Sequence, residues 1–110
     1  MKHLLFVILE ENETTAELLR ELSNEGYNGT VISSTSLKHV LRDQNEDTPF
    51  FINLSMIHSN NFVENTIINL VLDEEDLEIV KGVIRKYSEG FTKIKGGMYS
   101  TLLESYEGSF

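Results

Sequence analysis

Apolar and polar positions follow one another in an order that predicts β-α-β, a long polar loop, then β-α-β. Residues 3–9 read as a continuous apolar run, the pattern of a central strand covered on both faces. A helix follows, with Thr14 and Glu17 in capping-box spacing, an apolar stripe of Ala16, Leu18, Leu19 and Leu22, and Gly26 as its stop. Residues 29–35 are rich in β-branched side chains and read as a second strand. From Ser36 to Thr48 the chain is polar and reads mostly as loop. Pro49 then introduces a strand-like run from Phe50 to Ile57, and Asn60-Asn61 suggests a turn. Residues 66–72 form another strong strand. Asp73 reads as the N-cap of a second helix, Glu74 to Asp76 suit its positive end, and Leu77, Val80, Ile84 and Tyr87 mark its buried stripe. Gly90 ends that helix. Residues 91–95 read as a short strand or a loop, Gly96-Gly97 breaks the chain, and Met98 to Leu103 reads as the last strand.

This order predicts an α+β, ferredoxin-like β-α-β-β-α-β sandwich, with residues 1–110 as a single domain. A long β-ribbon loop would join the second and third core strands, with 48–58 as its extra strand. Both helices would lie on one sheet face. The other face would then need a cover, and a second subunit is the economical one.

Composition narrows the function. The 110 residues carry no cysteine, so there is neither a disulfide framework nor thiolate chemistry, which suits a reducing cytoplasm. Glu10 and Glu11 close the first apolar run and no small-residue cleavage site follows, so the start reads as strand rather than leader. No stretch has the length of a membrane span. A net charge of −9 argues against a general affinity for nucleic acid or anionic membranes. The cations are clustered, however: Lys81, Arg85, Lys86, Lys93 and Lys95 are five of the nine. They read either as an ordinary helix face or as a local anion site.

Catalytic chemistry has no visible seed. There is no Gly-x-Ser-x-Gly elbow, Walker motif or dinucleotide fingerprint, and the chain is expected not to be an enzyme. His3, His39 and His58 lack metal-ligand spacing, so no metal site is expected. The acidic residues stand at helix starts, where capping explains them. The most suggestive segment is Lys93-Ile94-Lys95-Gly96-Gly97. Adjacent glycines let backbone N–H groups converge on an anion and flanking lysines add charge, although such a pair also makes a simple turn or bulge.

With these residues in view, the chain resembles the PII-like signal-transduction superfamily, and within it the cyclic-di-AMP receptor branch. Met1 to Leu9 looks like the family's first strand. Asn28-Gly29-Thr30-Val31-Ile32-Ser33-Ser34-Thr35 resembles the receptor run leading into Ser-Thr-Gly-Gly-Phe. Asn65 to Ile84 looks like the family's Asn-Thr-Thr strand and acidic-capped helix, and Gly96-Gly97-Met98-Tyr99 through Tyr106 to Phe110 like its closing strand and aromatic tail. Asn28 stands where the family has Arg, and Ser36-Leu37 where the receptors have Gly-Gly. The phosphate loop of the nitrogen-regulatory PII proteins is only echoed by Thr92 to Gly97, without its Asp and final Lys. Val40 to Asn45 offers a second register, with 50–56 as the third core strand; 66–72 is preferred because it runs straight into the Asp73 helix.

The resemblance implies a cytoplasmic homotrimer that binds a nucleotide between subunits and signals through its long loop to a protein target. Its ligand would lie between Thr30, Ser34, Thr35 and Leu37 of one subunit and Lys95, Gly96 and Gly97 nearby, with no other cofactor. The alternative is a ligand-free trimeric adaptor of the same fold. Phe50, Phe51 and Met56 of the loop would be the partner-binding residues, since aromatics and Met are favoured at interfaces.

Overall fold

The computed structural model describes residues 1–37 and 65–110. In chain order these form β1 (Lys2–Glu10), α1 (Glu13–Asn24), β2 (Thr30–Ser34), β3 (Asn65–Asp73), α2 (Glu74–Ser88) and β4 (Gly96–Leu102). The strands make one four-stranded sheet in the order β2-β3-β1-β4, antiparallel at every step. This is the ferredoxin-like arrangement. The third core strand is Asn65–Asp73, as the preferred register has it. The proposed ribbon strand at 48–58, the alternative register at Val40 to Asn45, Phe50, Phe51, Met56, His39 and His58 lie outside the described residues.

Period-two alternation sorts the sheet into faces. Leu5, Val7 and Leu9 of β1 and Ile68, Leu70 and Leu72 of β3 are buried against Leu18 and Leu22 of α1 and Leu77, Val80 and Ile84 of α2. The alternate positions, Leu4, Phe6 and Ile8 with Ile67, Asn69 and Val71, lie on the opposite face, the open face, which no helix among the described residues covers, and are only half-buried. The continuous apolar run of the first strand therefore serves two unlike surfaces, one packed on helices and one not.

The helix ends depart from the sequence reading in detail. The N-cap of α1 is Asn12, whose side chain accepts from the Thr15 N–H at 2.9 Å. Thr14 is already inside the helix, so the capping-box pair does not form. Thr15 is buried, and its hydroxyl donates to the Glu10 carbonyl. At the other end Gly26 takes a φ of +90°, the Gly26 N–H donates to the Ser23 carbonyl and the Tyr27 N–H to the Leu22 carbonyl. That bond pair is the Schellman motif, and it places the predicted stop where expected. Asp73 holds the N-cap position of α2 but makes no side-chain cap. Its carboxylate instead meets Lys2 Nζ at 3.2 Å, across the β1–β3 ladder.

The segment after α2 is a compact turn, not a strand. Glu89, Gly90 and Phe91 all take positive φ, at 50°, 67° and 65°. Buried Ser88 organises it: its hydroxyl accepts from the Phe91 N–H at 3.1 Å, and its carbonyl from Thr92 and Lys93 at 3.0 and 2.9 Å. Each left-handed non-glycine residue costs on the order of 1 kcal/mol or more. The return is that Ile94 drops fully into the core. The two glycines that follow do not break the chain; they are the first residues of β4, paired with Leu9 and Ile8.

Candidate functional site

The register fixes where each predicted ligand residue lies. Thr30, Asn69, Phe6 and Tyr99 form one row across the open face, and Ile32, Ile67, Ile8 and Gly97 the next. A third row, at one end of the sheet, runs Ser34, Asn65, Glu10, with the Glu10 N–H bonded to the Lys95 carbonyl at 2.8 Å. Thr35 follows directly on Ser34, and Leu37 is 69% exposed beyond it. Thus Ser34, Thr35, Lys95 and Gly96 share one end of the sheet but stand on its opposite edges. Three strand spacings separate those edges, roughly 14 Å. Within one chain the two halves of the predicted site do not meet.

The glycines have unequal roles. Gly96 has a φ of +146°, and a Cβ there would run into the Ile8 carbonyl oxygen. Its identity is explained by the close approach of β1. Gly97 has no positive φ, and a Cβ there would meet nothing within 4 Å. Of this pair, only Gly97 is free of a packing demand. Of the cation cluster, Lys81 lies 3.8 Å from Glu78 one turn earlier on α2, while Lys93 and Lys95 are exposed in and after the turn.

Two polar atoms among the described residues are buried without a hydrogen-bond partner: Oγ1 of Thr35, one of the predicted ligand residues, and Oδ1 of Asn69, which the sequence did not single out. Asn69 stands in the middle of the apolar open face, where one asparagine among β-branched neighbours gives little sequence signal. It also lines a recess of about 320 Å³ with Asn28, Gly29, Thr30, Val71 and Phe110. Of the predicted ligand residues, this recess takes only Thr30. An adjoining recess of about 310 Å³ is walled by Lys2, Tyr27, Asp73 and Asp76 among others. There the Tyr27 hydroxyl donates to Asp76 Oδ1 at 3.2 Å, and burial, then that carboxylate, push the phenol above its ordinary pKa. Among the described residues no group of three or more His, Cys, Asp or Glu is placed to hold a metal ion. No helix among them is long and apolar enough to cross a membrane.

The arrangement defines a ferredoxin-like sandwich with an open apolar face and polar groups divided between two edges. No family model matches the chain, and no curated protein matches it in sequence. Among solved structures, that of a functionally unknown protein from Pediococcus pentosaceus is similar, with a TM-score of 0.62 at 12% identity over 98% of this chain and 97% of that one. At that identity the likeness is one of fold.

Proposed function

We propose that this chain is a PII-like signal-transduction protein, not an enzyme, which assembles as a cytoplasmic homotrimer and senses a nucleotide between subunits. The observation that carries this reading is the division of Ser34 and Thr35 from Lys95, Gly96 and Gly97 across opposite edges of the same sheet end. Hydroxyls on one edge and an amine and backbone on the other make a phosphate site only when two copies meet. The open face, with Leu4, Phe6, Ile8, Ile67 and Val71 half-buried and Ile32 44% exposed, supplies apolar surface for such contact. The long loop with Phe50, Phe51 and Met56 would then carry the signal to a protein target.

The test is a melting series with cyclic-di-AMP, ATP, ADP and AMP alongside sedimentation. A ligand at a hundredfold its dissociation constant stabilises the native state by about 2.7 kcal/mol, which a melting curve resolves. A trimer stabilised by one nucleotide supports the sensor; a stable micromolar monomer overturns it. A trimer stabilised by none supports the second reading, a ligand-free adaptor. That reading is favoured by Gly96, whose presence the contact with Ile8 already explains.

A further inference from the structure

The turn into β2 (Thr30–Ser34) holds a reactive pair. Asn28 is the one asparagine in the sequence that a glycine follows. Both residues are exposed among the described residues, and the Gly29 N–H donates to Asn28 Oδ1 at 3.0 Å. That contact folds the carboxamide back on its own main chain. It sets the Gly29 nitrogen beside the Asn28 carbonyl group, whose carbon is the electrophile of the side chain. Holding two reacting groups together in this way turns an encounter into an intramolecular step. A glycine leaves the approach clear, where a side chain at position 29 would crowd it. Packing fixes that glycine: a Cβ on Gly29 would run into the Asn69 carbonyl oxygen and press on Leu70. The other asparagines of the described residues are held differently. Asn12 Oδ1 accepts from the Thr15 N–H, Asn24 belongs to α1, and Asn65 and Asn69 lie in the β3 ladder.

We infer that Asn28 is a site of self-modification: it deamidates through a succinimide, and the product disturbs the start of β2. The Gly29 nitrogen gives up its proton to solvent and attacks Asn28 Cγ, closing a five-membered ring. The Cγ–Nδ2 bond then breaks, and the departing nitrogen takes a proton from solvent to leave as ammonia. Water opens the ring in one of two ways. Attack at Cγ breaks its new bond to the Gly29 nitrogen and gives aspartate. Attack at the main-chain carbonyl carbon breaks the original peptide bond and gives isoaspartate, whose main chain runs through Cβ and Cγ. Either way a water molecule is consumed and ammonia released, with no change of oxidation state. Both products put a carboxylate on the rim of the recess that Asn28 shares with Lys2, Asp73 and Asp76, where a single amine already faces two carboxylates. Isoaspartate also lengthens the main chain just before Gly29, which has no slack against β3. Thr30, the next residue, opens the β2 ladder opposite Asn69, so the added length falls on the first pair of that ladder.

Ageing of the full chain at neutral and mildly alkaline pH, followed by peptide mass spectrometry, tests this. The peptide holding Asn28 should gain about 1 Da, the difference between NH2 and OH. It should separate into aspartate and isoaspartate forms, the latter accepting a methyl group from an isoaspartyl methyltransferase. The rate should rise roughly tenfold per pH unit, as the deprotonated nitrogen becomes more abundant. Peptides holding Asn12, Asn24, Asn65 and Asn69 should stay unchanged over the same interval. The native chain should react at Asn28 at least as fast as the chain unfolded in urea, because the fold presents the pair. Protection of roughly tenfold or more by the fold would overturn the proposal, since the contact would then restrain the nitrogen rather than aim it. A product holding aspartate and no isoaspartate would overturn the succinimide route. The aged chain should melt below the fresh one, and Asn28→Gln, whose longer side chain closes a ring far more slowly, should keep its melting temperature on ageing. An aged parent rich in isoaspartate that melts like the fresh protein would overturn the effect on β2.

Discussion

Phe6 and Tyr99 stack across the β1–β4 ladder, with ring centroids 4.9 Å apart and planes inclined by 18°. The pair lies on the open face, where Phe6 is half-buried and Tyr99 is 62% exposed. It stiffens the pairing of an edge strand that two glycines would otherwise leave weak. Tyr99→Ala should therefore lower stability by about 1 kcal/mol, and Tyr99→Phe should change it little, because stacking needs the ring and not the hydroxyl. Urea midpoints of the two variants measure the difference.

Asn69 offers a gain. Its Oδ1 is buried with no partner, and such an atom forfeits its hydration for nothing in return. Asn69→Leu keeps the size and removes the unmet acceptor, so the melting temperature should rise, by the equivalent of about 1 kcal/mol. A fall would mean that the amide serves an interaction made only in the assembly.

The two glycines of β4 should separate folding from binding. Gly96→Ala combines a left-handed backbone with a collision against the Ile8 carbonyl and should cost about 2 kcal/mol or more. The Cβ added by Gly97→Val meets nothing within 4 Å and valine suits a strand, so circular dichroism and melting should stay close to the parent. Nucleotide binding by calorimetry should nonetheless fall in Gly97→Val. In Lys95→Ala it should fall more at low salt than at high salt, where charge is screened.

At α1, Asn12→Ala removes the side chain that caps the Thr15 N–H and should cost about 1 kcal/mol. Thr14→Ala should be close to neutral, since Thr14 lies inside the helix and does not cap it. Equal losses in denaturant titrations of the two variants would contradict the observed cap.

Stability should decline at alkaline pH. Tyr27 and Tyr87 both have phenols raised above the ordinary value of 10.0, mainly by burial, with Asp76 beside Tyr27 and Glu21 nearest in effect at Tyr87. Above that value the unfolded chain releases protons that the native state retains, so stability is full below pH 10 and falls as pH rises through the raised values. Tyr27→Phe should flatten this decline in a series of melts from pH 8 to about 11.

The strands and helices were legible because their signals are local. Residues 66–72 form a dense apolar run that leads straight into the acidic helix start, α2 shows its stripe at Leu77, Val80 and Ile84, and Gly26 supplies the stop for α1. The cap was misread because Thr14 and Asn12 both precede the same apolar run, and only the backbone decides which side chain faces an open N–H. Ile94 was invisible as core: a lone isoleucine between lysines has no period, and it is buried only because Ser88 folds the turn beneath it. The glycine pair suggested an anion cradle, whereas Gly96 answers to Ile8, a contact 88 positions away in sequence that no spacing rule anticipates. Of the candidate site, the residues of each half were nameable, but their division between opposite edges follows from strand order, which is a property of the whole sheet.

The ladder from Lys2↔Asp73 to Glu10↔Asn65 gives the central strand its first neighbour only after more than fifty intervening residues have been made, and the Ile8↔Gly97 ladder comes later still. On a ribosome, β1 and α1 emerge early with an apolar strand exposed on both faces and nothing to pair with. The sheet can close only once the last strand has cleared the exit tunnel. Contacts of such long sequence separation make folding slow relative to a helical protein of equal size. The nascent chain is therefore most vulnerable to aggregation, and most in need of a chaperone, during the interval in which β1 waits for β3.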